Sequence, residues 1–313
     1  MQDDAISQKF HLAAILMAIL IIFASHIAPM LYLLATTILA TSIFIIFRIF
    51  KRLGIDNIQA ITANYVVASL IGYMAYDKPF TFEDVAGASW FPMTFLIGLF
   101  FIIVFFLFAL SSQKAGVAIT AVSSKMSVVI PASAGFLIFG DQLSVLKILG
   151  IIAALIAFYL SFRKKGKMII NYAAFFLPVL LFIGTGTNDL LMKYTEYNFV
   201  SQDLLLLIST IFAVSLVIGT ALLIVKIAKK KTKLHIKNFV AGFILGFVNF
   251  ASTYTLFMSM EYFESSLLFP IRNTGVVTLS AFAGILMFKE NLSRTNWIGI
   301  ILAIIAIVLI SLG

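Results

Sequence analysis

Long apolar runs dominate the sequence and restrict what it can fold into. A run of ~20 apolar residues has the length needed to cross the ~30 Å hydrocarbon core of a bilayer as an α-helix. The composition agrees, because 62% of the 313 residues are hydrophobic and 11% are charged. The sequence therefore predicts an all-α polytopic membrane protein. Its ten predicted transmembrane helices lie at 31–50, 56–76, 90–110, 116–139, 144–162, 170–192, 203–225, 238–260, 265–288 and 294–312.

Residues 1–29 form an N-terminal hydrophobic extension to these ten spans. They contain an eleventh apolar run, at 10–27, which is shorter and carries a histidine at each end. Three interpretations remain open. The extension is an extra span, a signal peptide with an unusually acidic start, or a start-site artefact in which translation begins at Met30.

Chemistry that depends on cysteine or histidine has almost no material in this chain. There is no cysteine, and the three histidines are His11, His26 and His235, none of them in one of the ten spans. We therefore predict no metal site and no cofactor. An intramembrane enzyme is disfavoured, because the spans contain neither an H-E-x-x-H motif nor a paired aspartate motif.

The sequence repeats itself when it is shifted by 149 residues. This shift lays 139–160 on 288–309 and matches glycine and serine positions as well as apolar ones. Since each copy holds five spans, an odd number, the second copy must enter the membrane upside down. The sequence thus predicts two inverted five-helix repeats, at 30–166 and 167–313, with a substrate site near the midplane between them. Matched pairs include Ser144 with Ser293, Gly150 with Gly299, Ala154 with Ala303 and Ala157 with Ala306.

Several of these matched residues have structural roles. Ser144 and Ser293 lie where a serine side chain can cap the N-terminus of the following helix. Small residues spaced four apart allow close helix packing, and they occur at Gly150 and Ala154, Gly299 and Ala303, and Gly242 and Gly246. For the adjacent acids Asp141 and Glu290, we expect hydrogen bonding within short loops rather than substrate contact.

Each half closes with an acidic turn, the dipeptide LS and a helix containing glycine, in "GDQLSVLKILG" and "KENLSRTNWIG". With the two five-helix halves, this pattern resembles the EamA-type proteins of the drug/metabolite transporter superfamily, over roughly residues 31–312. The resemblance implies a secondary carrier, in many members an exporter of metabolites, amino acids or toxic compounds. The small multidrug members rely on a glutamate in their first helix. The span at 31–50 has no acid, which argues against a cationic-drug exporter of that type.

Basic residues are distributed unequally between the links that join the ten spans. Even-numbered links hold only Lys78, Lys147 and Lys193, whereas odd-numbered links are rich in lysine and arginine. The positive-inside rule therefore places the odd links in the cytoplasm and both Met30 and the C-terminus outside. The resemblance implies cytoplasmic termini instead, so the orientation stays open.

The stretch "LLFPIRNTGVV", residues 267–277, places Arg272 inside an apolar span. An arginine at the centre of a transmembrane helix costs roughly 2.5–3.5 kcal/mol, so it needs a partner, a route to water or a function. The repeat shift lays the triplet Ser123, Ser124 and Lys125 on Arg272, Asn273 and Thr274. Lys125 and Arg272 are offset by two positions, or ~200° around a helix, so exact symmetry does not bring both to one face. Snorkelling to the interface is the alternative for each cation.

Asp189 is the acid that lies well inside a span. We predict that it exchanges a proton with the substrate or with a cation, and the alternative is a pairing with Lys193 four residues later along one helix face. Further candidates for lining a substrate cavity are Asn64, Tyr65, Asn249 and Tyr254, each of which can instead bond a neighbouring helix. The predicted substrate-binding residues are therefore Arg272, Asn273, Lys125, Ser124, Asn64, Tyr65, Asn249 and Tyr254.

These observations predict a secondary active transporter, an exporter by resemblance, in a bacterial inner membrane. It moves a small polar or anionic metabolite by alternating access, and an intramembrane enzyme or a passive pore are the alternatives. The expected partners are the lipid bilayer and a small-molecule substrate, with protons as a candidate coupling ion. The basic link "KIAKKKTKLHIKN" is interpreted as a solvated loop at the headgroup surface, not a nucleic-acid site. Substrate, direction, coupling ion and oligomeric state stay open.

Overall fold

A computed structural model describes residues 29–138, 144–162, 172–199, 203–263 and 265–313. Within these ranges the regular structure is helical and contains no strand, which confirms the all-α class. The N-terminal extension up to residue 28 and the loop that holds Asp141 lie outside them. The helices are α1 (Pro29–Leu53), α2 (Asn57–Met74), α3 (Phe82–Ala86), α4 (Phe91–Lys114), α5 (Val117–Met126), α6 (Val129–Ile138), α7 (Val145–Phe162), α8 (Tyr172–Phe199), α9 (Leu204–Ala228), α10 (Ile236–Met260), α11 (Ser265–Phe288) and α12 (Arg294–Leu312).

Seven helical stretches in the described part of the chain are long and apolar enough to cross a membrane. They are Pro29–Leu53, Phe91–Lys114, Val117–Gly135, Leu204–Ala228, Ile236–Met260, Leu267–Phe288 and Arg294–Leu312. The protein is therefore an integral membrane protein. The predicted span at 116–139 corresponds to Val117–Gly135, but it is not one regular helix, because a turn at Ser127 and Val128 separates α5 from α6.

The predicted serine caps are confirmed. The Ser293 hydroxyl accepts a hydrogen bond from the Asn296 amide at 3.2 Å, and the Asn296 side chain accepts one from the Ser293 amide in return. The Ser144 hydroxyl accepts from the Lys147 amide at 3.0 Å. Both serines thus satisfy backbone donors that the first turn of a helix leaves free.

The small residues of α7 and α12 allow these two helices to pack closely against each other. A side chain at Gly150 would collide with Ile310, and one at Gly299 would collide with the backbone of Ser161. The start of each helix therefore lies beside the end of the other, so the pair is antiparallel. Ala154 and Ala303 are fully buried in the same core cluster, which confirms the predicted close approach.

Gly242 and Gly246 bring α10 against α2. A Cβ atom at Gly242 would meet the Ala60 carbonyl oxygen, and one at Gly246 would lie 2.7 Å from the Asn64 carbonyl oxygen. Since the residue numbers rise together, α2 and α10 run parallel. This packing belongs to a second core, in which α1, α2, α4, α9 and α10 contribute phenylalanine, tyrosine and aliphatic side chains.

Glu290, in the link after α11, closes the N-terminus of α5. Its carboxylate accepts hydrogen bonds from the amides of Val117 at 2.7 Å and Ala118 at 3.4 Å. Burial raises the pKa of the Glu290 carboxyl above its usual value, and these two hydrogen bonds oppose that rise. The expected hydrogen bonding of this acid is thus confirmed, although it joins the start of a distant helix and not its own short loop.

Candidate functional site

Pro131 explains why the predicted span at 116–139 is broken. A proline has no backbone N–H, and its ring collides with the carbonyl of the residue four positions earlier. That residue is Ser127, whose carbonyl oxygen instead accepts from the Ile130 amide at 2.9 Å. The Ser127 hydroxyl in turn donates to the Ser124 carbonyl oxygen. Lys125 therefore lies in the last turn of α5, beside a break within the bundle.

Gly186 brings α8 against this break. A Cβ atom at Gly186 would lie 2.8 Å from the Ser127 carbonyl oxygen and would also collide with the Ile130 side chain. Asp189 follows three residues later, about one helical turn along α8. The close contact at Gly186 thus places the Asp189 carboxylate in the neighbourhood of Lys125.

Arg272 has a partner inside the bundle. Its Nε donates a hydrogen bond to the Thr36 hydroxyl at 2.9 Å, and that hydroxyl donates to the Ser252 carbonyl oxygen at 3.0 Å. These two hydrogen bonds link α11 to α1 and α10. An arginine that only snorkels to the interface would not need such bonds. Pro270 does not interrupt α11, because the residue four positions earlier, Ser266, still belongs to the first turn.

Lys125, Asp189 and Arg272 form a cluster of three charges, which we call the charge triad. Each of the three interacts electrostatically with the other two. Yet within the described residues none of them forms an ion pair closer than 4.0 Å. The three charges of the triad therefore attract and repel one another without direct contact.

Asp189 lies on a different side of α8 from two exposed apolar residues. The apolar residues Leu180 and Ile183 are half exposed and mark the face that α8 presents to lipid. Asp189 follows Ile183 by six residues, which rotates it roughly 120° away from that face. Asp189 is itself exposed, although it lies away from that face.

Buried polar atoms without partners lie close to the triad in the sequence. Thr185 and Asn188 are each 8% exposed, and the Thr185 hydroxyl and the Asn188 side-chain oxygen have no hydrogen-bond partner among the described residues. The hydroxyl of Thr274, two residues after Arg272, shares this property. Such groups cost free energy when they are left unpaired, so they are candidates for ligand contacts.

Among the other predicted site residues, Asn64, Tyr65 and Asn249 lie where α2 and α10 meet or beside it. The Asn249 side-chain amide donates to the Asn64 side-chain oxygen at 3.3 Å, so this pair joins α10 to α2. Tyr65 is fully buried between Phe105 and Phe212, and its hydroxyl has no partner within the described ranges.

Three further predicted residues lie on α5, α10 and α11. Tyr254 is 44% exposed and stacks on Phe250. Ser124 is buried, and Asn273, beside Arg272, is half-buried. Their roles, and those of Asn64, Tyr65 and Asn249, stay predictions.

Sequence reasoning missed Thr36, Ser252 and Thr185. All three are small polar residues in apolar helices, where most serines and threonines bond their own backbone, as Thr37 does to Leu33. Polar residues that recur at a regular spacing within an apolar helix would have been the only sequence signal for these positions. Thr36, for instance, lies in the run "ATTILATS" of α1.

Comparisons with known proteins point to one family. Residues 172–312 match the family described as the EamA-like transporter family, which covers α8 to α12 and so includes Asp189 and Arg272. The chain is also similar to an uncharacterised protein of Haemophilus influenzae. The two are 26% identical over 276 residues, which cover 86% of this chain and 93% of that protein.

Proposed function

Because residues 172–312 belong to the EamA-like transporter family, part of the drug/metabolite transporter superfamily, we propose that the protein is a secondary active transporter of a small polar or anionic metabolite. The charge triad is the observation that carries this proposal. It brings two cations and one acid near one another inside an integral membrane protein, where unpaired charges are costly and mark functional sites.

The transporter is built from two inverted repeats of five spans. In such an arrangement α2 corresponds to α9, α4 to α10, α5 to α11 and α7 to α12. Corresponding helices should run antiparallel where they pack together, and two pairs support this. They are α7 with α12, as described above, and α2 with α9, where Gly72 faces Ser209 and Gly219 faces Thr62.

A second line of support comes from packing between elements that do not correspond. Exchange of the two halves turns the α2–α10 pair into α9–α4. The α2–α10 pair is parallel, and α4 with α9 is parallel too, because Gly98 faces Val214 and Gly219 faces Ile102. The same exchange turns α5–α8 into α11–α1, and both contacts occur, at Gly186 and at Gly275 beside Thr37.

The triad suits an anionic group on the substrate. The hydrogen bond to Thr36 occupies only Nε of Arg272, so the two terminal nitrogens remain for a carboxylate or phosphate. Lys125 adds a second positive charge, and Asp189 leaves the triad with a net charge of +1 when all three are ionised. A bound monoanion would neutralise that charge, which lowers the cost of enclosing the site during alternating access.

Asp189 is the proposed coupling residue. As the acid of the triad, it can take up a proton when a substrate anion neutralises the two cations, since their attraction for the carboxylate then falls. The direction of transport, taken here as export, rests on the resemblance to exporters in the same superfamily.

The proposal is tested first by finding a ligand and then by measuring flux. Purified protein is screened by thermal shift against carboxylates, phosphates, amino acids and neutral sugars. We expect an anion to stabilise the protein, and Arg272→Gln to remove that stabilisation. Stabilisation by neutral sugars alone would contradict an anionic substrate.

Proteoliposomes then separate a carrier from a passive pore. A carrier gives flux that saturates with concentration and accumulates the ligand against its gradient when an ion gradient is imposed. Flux that rises linearly with concentration and ignores ion gradients would indicate a pore instead.

A further inference from the structure

The link between α9 and α10, residues 229–235, is held in one position by the start of α2. The Asp56 carboxylate accepts from the Lys226 ammonium at 2.8 Å and from the Thr232 hydroxyl at 2.8 Å. The Gln59 side-chain amide donates to the Lys233 carbonyl oxygen at 2.9 Å, and its oxygen accepts from the His235 amide at 3.1 Å. The link is therefore an ordered surface of the protein.

This ordered link presents lysines that are not used by the anchoring network. Lys229, Lys230, Lys231 and Lys233 are exposed, whereas Lys226 is committed to Asp56. Lys230 has φ of 54°, a left-handed conformation that glycine adopts at lower cost at the end of a helix. The backbone of the link is therefore somewhat strained at Lys230.

Exposed apolar side chains lie directly beside these lysines. Leu234 is 57% exposed and Ile236, at the start of α10, is 78% exposed. Side chains of this kind are stable in the outer part of the acyl region, while the lysines one to five residues earlier reach headgroup phosphates. Ordered lysines beside exposed apolar side chains are suited to binding the surface of an anionic lipid membrane.

We propose that the α9–α10 link is a docking surface for anionic phospholipid headgroups, with Lys229, Lys230 and Lys231 as the phosphate contacts. The surface is separate from the charge triad and does not depend on the transported substrate. Each lysine near an anionic membrane surface contributes about 1 kcal/mol, or roughly fivefold in lipid association.

The test uses the full chain in nanodiscs of phosphatidylglycerol mixed with phosphatidylcholine. Association of spin-labelled phosphatidylglycerol is compared with that of spin-labelled phosphatidylcholine for two variants. Lys229→Gln/Lys230→Gln/Lys231→Gln removes the charge, and Lys229→Arg/Lys230→Arg/Lys231→Arg retains it. Both put a side chain with a Cβ atom at position 230, so the backbone cost is matched.

We expect the glutamine variant to lose preference for phosphatidylglycerol by roughly fivefold per lysine, and the arginine variant to keep it. An unchanged preference in the glutamine variant would overturn the proposal. So would an equal loss of thermal stability in both lipids with no change in lipid preference, which would assign the lysines to the end of α9. If inorganic phosphate raises the melting temperature as much as phosphatidylglycerol does, the site takes small anions and the lipid surface is rejected. If the glutamine variant does not fold, the lipid preference of the wild type is measured at increasing salt concentration. A preference for phosphatidylglycerol that does not change with salt would also reject the proposal.

Discussion

Replacing Glu290 tests whether the link after α11 stabilises the start of α5. Glu290→Ala removes the acceptors for the Val117 and Ala118 amides, which are the first donors of α5. Gly116, which precedes them, has φ of 112°, and a Cβ atom there would lie 2.9 Å from the Glu290 carboxylate. In Glu290→Ala, Gly116 has no side chain that could take over the capping role.

The expected loss follows from two opposing effects. Removing a helix cap costs about 1 kcal/mol, and a hydrogen bond to a charged group contributes roughly 1.5–3 kcal/mol. Desolvation of the buried carboxylate offsets part of this, as the raised pKa of Glu290 indicates. We therefore expect Glu290→Ala to lower stability by about 1–2 kcal/mol, or by ~2–8 °C in apparent melting temperature.

The pH dependence of the effect has a definite sign. Because the pKa of Glu290 is raised in the folded protein, its contribution is most favourable below the unfolded pKa and is lost as pH rises through the folded pKa. Glu290→Gln keeps an acceptor for Val117 but cannot ionise. The stability of the wild type relative to Glu290→Gln should therefore fall as the pH is raised.

Thermal unfolding in detergent, followed by tryptophan fluorescence between about pH 2 and pH 8, measures both effects, since this range covers carboxyl groups with lowered and with raised pKa values. Asp84→Asn provides a control, because Asp84 caps the short helix α3 and its pKa is lowered by hydrogen bonds from Thr81. Its relative stability should change with pH in the opposite direction. Glu290→Ala as stable as the wild type at every pH would refute the capping role.

Three further predictions concern single side chains. Arg272→Lys should fold and insert normally yet lose roughly 1.5–3 kcal/mol of ligand affinity, because lysine cannot make a bidentate contact. Unchanged affinity in a thermal-shift titration would leave Arg272 with a structural role. Asp189→Asn should abolish accumulation driven by a pH gradient in proteoliposomes while counterflow exchange persists; normal coupling would remove Asp189 from the mechanism. Lys289→Gly should raise stability by about 1 kcal/mol, since Lys289 has φ of 55°, and a lower melting temperature would show that the lysine side chain compensates.

The helices could be predicted from the sequence because their causes are local. Span length follows from the thickness of the bilayer, and the caps at Ser144 and Ser293 follow from hydrogen bonds within four residues. The contacts of Gly150 and Gly299 were predicted as close approaches, because small residues at a spacing of four leave a groove on a helix. Which helix fills that groove depends on the whole bundle, and the pairing of α7 with α12 is visible only in the structure.

The break between α5 and α6 shows how a local rule can be applied at the wrong place. Pro270 drew attention because it lies next to Arg272, yet it falls early in α11, where the missing N–H and the ring cost little. Pro131 lies deep in a predicted span and removes the donor for Ser127. Counting four residues back from each proline would have located the break.

The charge triad combines what the sequence could and could not provide. Repeat alignment placed Lys125 and Arg272 at similar depth but on different helix faces, so symmetry alone did not bring them together. The break after Lys125 ends the regular rotation of α5. Gly186, which has no side chain, allows α8 to pack closely against this break. Asp189 then lies near two cations that come from opposite halves of the chain. The proposed site for an anion and a proton therefore depends on the departure from exact symmetry, because α11 continues unbroken where α5 ends.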